Sequence, residues 1–227
     1  MRGLVRVGAA VPSLALGNVK ENMKRHLAMM REAKEKYVSI VTFPELSLTG
    51  YTCGDLFFQR RLLDDVTDAL LALKDEMPEG ILAVVGAPLE IEGALYNCAV
   101  VLHKGEIISA VPKTFLPNNG EFYEKRWFQS GDARRDASVA IPKLKTDVCR
   151  QAIFETEDGV RFGIELCEDL WAPLPPSTML SVEGAEIILN LSASNELLSK
   201  REYRQQLISQ QSARCQCGYV YVSAGMG

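Results

Sequence analysis

The chain has 227 residues, 47% apolar and 24% charged, enough to bury one sizeable core and ordinary for a globular protein. Its net charge of −4, with no block of Lys and Arg, argues against a polyanion-binding surface, because neutralising phosphates takes clustered cations; nucleic acid is not an expected partner. No apolar run is long enough for a signal or a membrane span, so a soluble, cytoplasmic protein with no membrane partner is expected.

Taken in chain order, short β-branched runs alternate with amphipathic stretches, the pattern of α/β layering. Residues 4–11 read as a strand. Asn18 with Glu21 three residues on resembles a capping box, and Val19, Met23, Leu27, Met30 and Tyr37 then recur at helical spacing. Residues 38–43 form a continuous apolar run, as in a strand buried on both faces, and end at Pro44-Glu45. A second helix is predicted over 59–74, then strands over 81–88, 96–103 and 106–111, with a tight turn at Lys104-Gly105. Residues 118–145 are irregular and rich in charge, Pro and Gly, which suits a surface loop framing a site. A hairpin follows over 152–156 and 160–166 around Asp158-Gly159. A helix starts near Pro176, a strand covers 187–191, a helix 202–216 and a last strand 219–223. No domain boundary interrupts residues 1–227.

Three ionisable residues share one place in this pattern: Glu45, Lys113 and Cys167 each stand just past an apolar strand. Loops at strand ends line the crevices of layered α/β proteins, so the three can converge. Amide cleavage needs a nucleophile, a proton acceptor and oxyanion stabilisation, and each role has a candidate. A sharp turn after the strand would expose the Cys167 sulfur with a following backbone N–H nearby. A Lys113 ammonium would favour the thiolate, and Glu45 could take the thiol proton and return it to departing ammonia. Taken singly, each has a plainer reading: Cys167 as inert packing, Glu45 as a turn or helix-start charge, Lys113 as a surface cation. The two histidines, His26 in an amphipathic helix and His103 at a hairpin, suit neither a Cys-His nor a Ser-His-Asp triad. The six cysteines are expected to be reduced. Cys215 and Cys217 lack a second ligand pair, so no metal is expected.

Phe43-Pro44-Glu45-Leu46-Ser47-Leu48-Thr49-Gly50-Tyr51 resembles the first signature of the nitrilase, or carbon-nitrogen hydrolase, superfamily. Pro112-Lys113 resembles the second, and Gly163-Ile164-Glu165-Leu166-Cys167-Glu168-Asp169-Leu170-Trp171 the third, in matching order and spacing over nearly the whole chain. The resemblance implies an α/β fold of αββα four-layer sandwich type, a Glu45-Lys113-Cys167 triad and a thioester intermediate hydrolysed by water. It further implies a supporting glutamate in the loop after the lysine. Glu121 stands at the matching place, with Glu124 as the alternative and a solvent-facing loop acid as the plainer reading.

Within the superfamily, Gly50-Tyr51-Thr52-Cys53-Gly54-Asp55-Leu56-Phe57, Glu124-Lys125-Arg126-Trp127-Phe128 and Asn190-Leu191-Ser192-Ala193-Ser194 resemble the amino-terminal glutaminase domain of glutamine-dependent NAD synthetases. That likeness implies cleavage of glutamine, or another small amide, to an acid and ammonia. The ammonia would pass to a synthetase domain, in cis or in a neighbouring subunit of a homo-oligomer, which uses ATP to amidate deamido-NAD. No cofactor is implied for residues 1–227 themselves. The implied substrate pocket draws on Tyr51, Glu168, Trp171, Ser194, Lys200 and Asn119, with acidic and hydroxyl groups toward the amino group and Lys200 toward the carboxylate. Ser194 as a capping serine and Lys200 as a solvated lysine are the plainer readings. Ser194-Asn195 and Ser199-Lys200 stand where the family commonly has Ser-Pro and a Gly-Lys or Gly-Arg pair. The synthetase domain has no counterpart in residues 1–227, and Ala224-Gly225-Met226-Gly227 resembles the start of a turn that leads onward, so a C-terminally truncated hydrolase domain is expected. Two rivals stand beside this reading: a stand-alone amidase for another ω-amide or carbamoyl substrate, and a catalytically silent interaction module.

Overall fold

Strands that are apolar on both faces need cover on both faces, and the computed structural model, which describes residues 4–133 and 138–225, supplies it with two stacked sheets between two helical layers. The larger sheet runs β1 (Val7–Ala9), β2 (Ile40–Thr42), β3 (Leu82–Ile91), β4 (Ala94–His103), β5 (Glu106–Pro112), β7 (Thr146–Cys149) and β6 (Ser138–Ile141) in spatial order. Its first three strands are parallel, β3 to β5 form an antiparallel meander, and β7 returns parallel to β5. The second sheet runs β11 (Gly218–Ser223), β10 (Ile187–Ser192), β9 (Arg161–Leu166) and β8 (Ile153–Glu155). In it β9, β10 and β11 are parallel.

The period-two alternation of the strands sorts their side chains between layers. Val85, Val100 and Leu102 face the helix side, packing in one core with Leu27 and Met30 of α1 (Val19–Glu35) and Val66 and Leu70 of α2 (Arg60–Glu76). Their sequence neighbours Val84, Ala99 and Val101 point the other way, onto Phe162, Ile164 and Leu189 of the second sheet. Behind that sheet, α3 (Pro176–Val182) and α4 (Lys200–Cys215) close the fourth layer, with Leu180 and Ile188 in its core. The expected αββα sandwich is the fold.

Local signals act as anticipated at α1, where the Asn18 side chain accepts the Glu21 N–H at 3.2 Å and so satisfies one of the helix's orphan donors. Tyr37, assigned from sequence to the buried stripe, is instead exposed at a positive φ of 56°; the helix has already ended at Glu35. The expected strand over 4–11 shortens to Val7–Ala9. β3 and β4 run longer than their apolar runs suggest, because Glu92 and Gly93, with φ of 53° and 79°, turn the chain tightly and let the flanking residues pair. The loop over 118–145 contains an edge strand, β6, that pairs with β7; residues 134–137 lie outside the described part. Residues 51–58, for which no element was expected, form a kinked 3-10 segment, Tyr51–Phe58. No helix among the described residues is long and apolar enough to cross a membrane.

Candidate active site

The three expected residues leave the ends of β2, β5 and β9. The segment after β2 lies directly on Gly86: a Cβ there would stand 2.3 Å from the Pro44 carbonyl oxygen and 2.4 Å from the Leu46 nitrogen. Only a glycine lets the Glu45 turn settle on β3. From the other side α1 supports this turn, with Asn22 donating to the Leu48 carbonyl at 3.0 Å and His26 bonded to the Ser47 hydroxyl at 2.8 Å. Burial lowers His26 to about 4, so it serves as a neutral strut. Lys113 follows β5 directly and donates its N–H to the Asn97 carbonyl at 2.8 Å. Cys167 opens the 3-10 turn Cys167–Trp171 at a positive φ of 41°, an unusual conformation for a residue with a Cβ. Its N–H donates to Asn190 Oδ1 at 3.2 Å.

In the interior Lys113 Nζ lies 2.6 Å from Glu45 Oε1 and 2.6 Å from Glu124 Oε1. Lys113 and Glu45 are each 0% exposed and Glu124 1%. Asn97 Nδ2 donates to Glu45 Oε1 at 2.8 Å and reaches Glu124 Oε2 at 3.5 Å, while the Tyr51 hydroxyl donates to Glu124 Oε1 at 2.6 Å. Burial pulls the Lys113 ammonium down, but Glu45, Glu124 and the Cys167 sulfur outweigh it and hold the lysine well above its ordinary value. Two carboxylates against one ammonium leave an uncompensated negative charge in a buried site. Glu45 is raised accordingly: burial lifts it, Lys113 opposes, and Glu124 adds to the lift. Its second oxygen, Oε2, is buried without a hydrogen-bond partner among the described residues, a costly state for a native carboxylate.

Burial and then the Glu45 charge push the Cys167 thiol up to about 12, while Lys113, the Ser192 hydroxyl and the Ala193 N–H pull it down. The resting sulfur is therefore a thiol.

Cys167 opens onto a cavity of about 270 Å³ whose lining includes Asn119, Glu121, Glu168, Trp171, Ser194 and Lys200, six of the residues expected from sequence. Lys200 Nζ lies 5.2 Å from the centre of the Trp171 ring and 5.8 Å from that of Phe122, and donates to the Asn195 side chain. Burial raises Glu168, with Lys113 opposing, Glu124 adding and Lys200 opposing.

Two expected residues have partners other than those foreseen for them. Glu121, expected to hold Lys113, is exposed on the loop and accepts from the Asn195 side chain. Glu124 takes that place, because the 3-10 turn Glu124–Arg126, tied by the Glu124 N–H to the Pro117 carbonyl at 3.1 Å, points its carboxylate inward. Tyr51, expected among the substrate contacts, donates its hydroxyl to Glu124. Sequence reasoning also gave no role to Asn97 or, beyond its place in the Asn190–Ser194 motif, to Asn190, both 0% exposed in mid-strand. A polar residue inside an apolar strand run was the available signal, since such groups are buried only with partners. Among the described residues no group of three or more His, Cys, Asp or Glu is placed to hold a metal ion.

The profile of the family described as carbon-nitrogen hydrolase matches residues 6–227. A protein of Mycobacterium bovis named glutamine-dependent NAD(+) synthetase is 38% identical over 228 residues, spanning 99% of this chain and 33% of its own length. The human protein of that name is 30% identical over 196 residues, 83% of this chain and 28% of its own. This chain thus spans about a third of the length of these relatives. Among solved structures, the glutamine-dependent NAD(+) synthetase of Cytophaga hutchinsonii superposes with a TM-score of 0.85 at 29% identity, covering 96% of this chain and 36% of that one. An amidase from Nesterenkonia superposes at 0.77 with 16% identity over 99% of this chain and 77% of that one, a likeness of fold. The match along nearly the whole chain, on a sandwich whose strand ends bring Glu45, Lys113 and Cys167 into one electrostatic cluster, places the chain in the carbon-nitrogen hydrolase family.

Proposed function

We propose that the protein hydrolyses the side-chain amide of glutamine through a Cys167 thioester, with Glu45 as base and Lys113 as electrophilic partner. The observation that carries this reading is the unpartnered, buried Glu45 Oε2 in a carboxylate that acts on both Lys113 and the Cys167 thiol. A base whose free oxygen lacks a partner is poised to accept a proton. The cavity supports the choice of substrate. Carboxylates of Glu121 and Glu168 and the ammonium of Lys200 share its wall, which suits the two charges of an amino acid whose amide reaches the sulfur.

In the first half-reaction Glu45 takes the Cys167 proton as the sulfur bonds to the amide carbon. The oxyanion forms against the Lys113 ammonium and the Glu168 backbone N–H. Collapse breaks the C–N bond, and Glu45 passes its proton to the nitrogen, which leaves as ammonia. In the second, Glu45 takes a proton from a water that attacks the thioester carbon. The C–S bond breaks, Glu45 returns that proton to the departing sulfur, and the new carboxyl group loses its own proton to solvent to give glutamate. Glu124 and Tyr51 hold Lys113 in place.

The names of the relatives extend the proposal. Released ammonia would feed a synthetase domain, in cis or on a neighbouring subunit, that amidates deamido-NAD with ATP.

The test is glutamate release from glutamine together with intact-mass detection of a glutamyl adduct on Cys167. Cys167→Ala is expected to abolish both, and Cys53→Ala to leave both intact. Absence of the adduct with glutamine, and its appearance with another ω-amide, would move the assignment to a stand-alone amidase.

A further inference from the structure

Lys113 directly follows a strand of the larger sheet and Cys167 directly follows a strand of the smaller one. Something must hold these strand ends in register, since packed sheets joined only by apolar contacts tolerate small sliding. One side chain bridges them. Asp169, 1% exposed, accepts the N–H groups of Thr114 and Phe115 at Oδ1, at 3.1 and 2.7 Å, and the N–H of Leu166 at Oδ2, at 2.9 Å. Thr114 and Phe115 follow Lys113 directly, and Leu166 precedes Cys167. Each oxygen thus grips the backbone beside a different reacting group.

We propose that Asp169 is a positioning residue that sets the separation between the Lys113 ammonium and the Cys167 sulfur, a role resting on the hydrolase reading above. A carboxylate suits the place because it is acceptor-only and all three neighbours are donors. Burial lifts its carboxyl to about 8, while the N–H groups of Leu166 and Phe115 pull it down, so the ionised staple is complete on the alkaline side of that value. Asn has nearly the same shape but one acceptor oxygen. In either amide orientation its NH2 faces an N–H, and one arm of the bridge is lost.

The experiment uses the full chain carrying Asp169→Asn, assayed at about pH 9, where the wild-type acid is ionised. Alkylation of Cys167 by iodoacetamide is followed on its peptide by mass spectrometry, alongside kcat and KM for glutamine. Alkylation is expected to slow at least about tenfold and kcat to fall about 100-fold, with KM within about threefold, as for a roughly 1 Å misplacement of reacting groups. A folded variant whose Cys167 is alkylated at the wild-type rate overturns the proposal. Because iodoacetamide requires no substrate pocket, this arm is readable even if glutamine proves to be the wrong amide, so the two failures are separable. If Asp169→Asn does not fold, Asp169→Glu keeps the charge while shifting it by one methylene, and the same slowing is expected. Loss of the fold in both variants also overturns the proposal, because the residue's role would then be stability.

Discussion

At the scale of single residues, the chemistry turns on which groups carry protons at rest. Burial and Glu45 hold Cys167 near 12, so it is not a preformed thiolate of the kind that makes many reactive cysteines conspicuous. Lys113 lowers the thiol, but its positive charge is already spent on two carboxylates at 2.6 Å. In the proposed mechanism the nucleophile is therefore made in the encounter, by transfer to Glu45. A consequence for pH follows. Glu45 is the acceptor only while ionised, and its pKa is raised, so activity should be lost as pH falls through a value above the usual carboxylate range. Above about pH 9, where Asp169 is ionised as well, alkylation of Cys167 by a neutral reagent should be flat to about pH 10, where an unassisted thiol held near 12 would gain about tenfold per unit. A rate that climbs in that way in stopped-time alkylation would show that Glu45 does not assist.

At the scale of elements, the turn carrying Glu45 is fixed from below by β3 and from the side by α1. Gly86→Ala inserts a Cβ into backbone atoms at 2.3 and 2.4 Å, where no side-chain rotation can relieve the clash. The turn must lift. The expected result is a stability loss of about 1–3 kcal/mol by chemical denaturation and a fall in kcat of about 100-fold. The α1 strut makes a different prediction. His26 is 0% exposed and titrates near 4 against an ordinary value of 6.5, so between those values the unfolded chain binds a proton that the folded chain refuses. His26 therefore destabilises the fold progressively as pH falls from about 6.5 to 4, by about 3 kcal/mol in all. Buried carboxylates raised by their surroundings, Glu45, Glu165 and Asp169 among them, work in the opposite direction. The difference between wild type and His26→Gln isolates the histidine: the pH dependence of their relative denaturation midpoints should follow this window, with the variant gaining on wild type in acid.

At the scale of the whole molecule, the site lies at the seam between the two sheets, because Lys113 and Glu45 come from one and Cys167 from the other. Sheet-on-sheet packing is thus part of the scaffold of the candidate site. Phe162, 0% exposed and stacked on Phe154 at 5.2 Å, is a central contact of that layer. Phe162→Ala should lower the unfolding free energy by about 3–5 kcal/mol in urea titration, through lost burial and the cavity left behind. Across the molecule the relation between chain and relatives is also plain: nearly all of this chain matches about a third of the mycobacterial protein.

The sequence by itself determined the layered architecture and the order of the main elements, and it singled out Glu45, Lys113 and Cys167 as candidates, because periodicity, turn residues and short motifs are carried by neighbours along the chain. Tertiary structure alone decided between Glu121 and Glu124, three residues apart in one polar loop, since the choice depends on which carboxylate a turn points inward to Lys113. It also joined the Tyr51 hydroxyl to Glu124, revealed Asn97 and Asn190 as bridges, and paired β6 with β7 at the sheet edge. In each case the deciding partner lies far away in sequence, and the desolvation that sets proton affinities exists only after the layers have closed around the site.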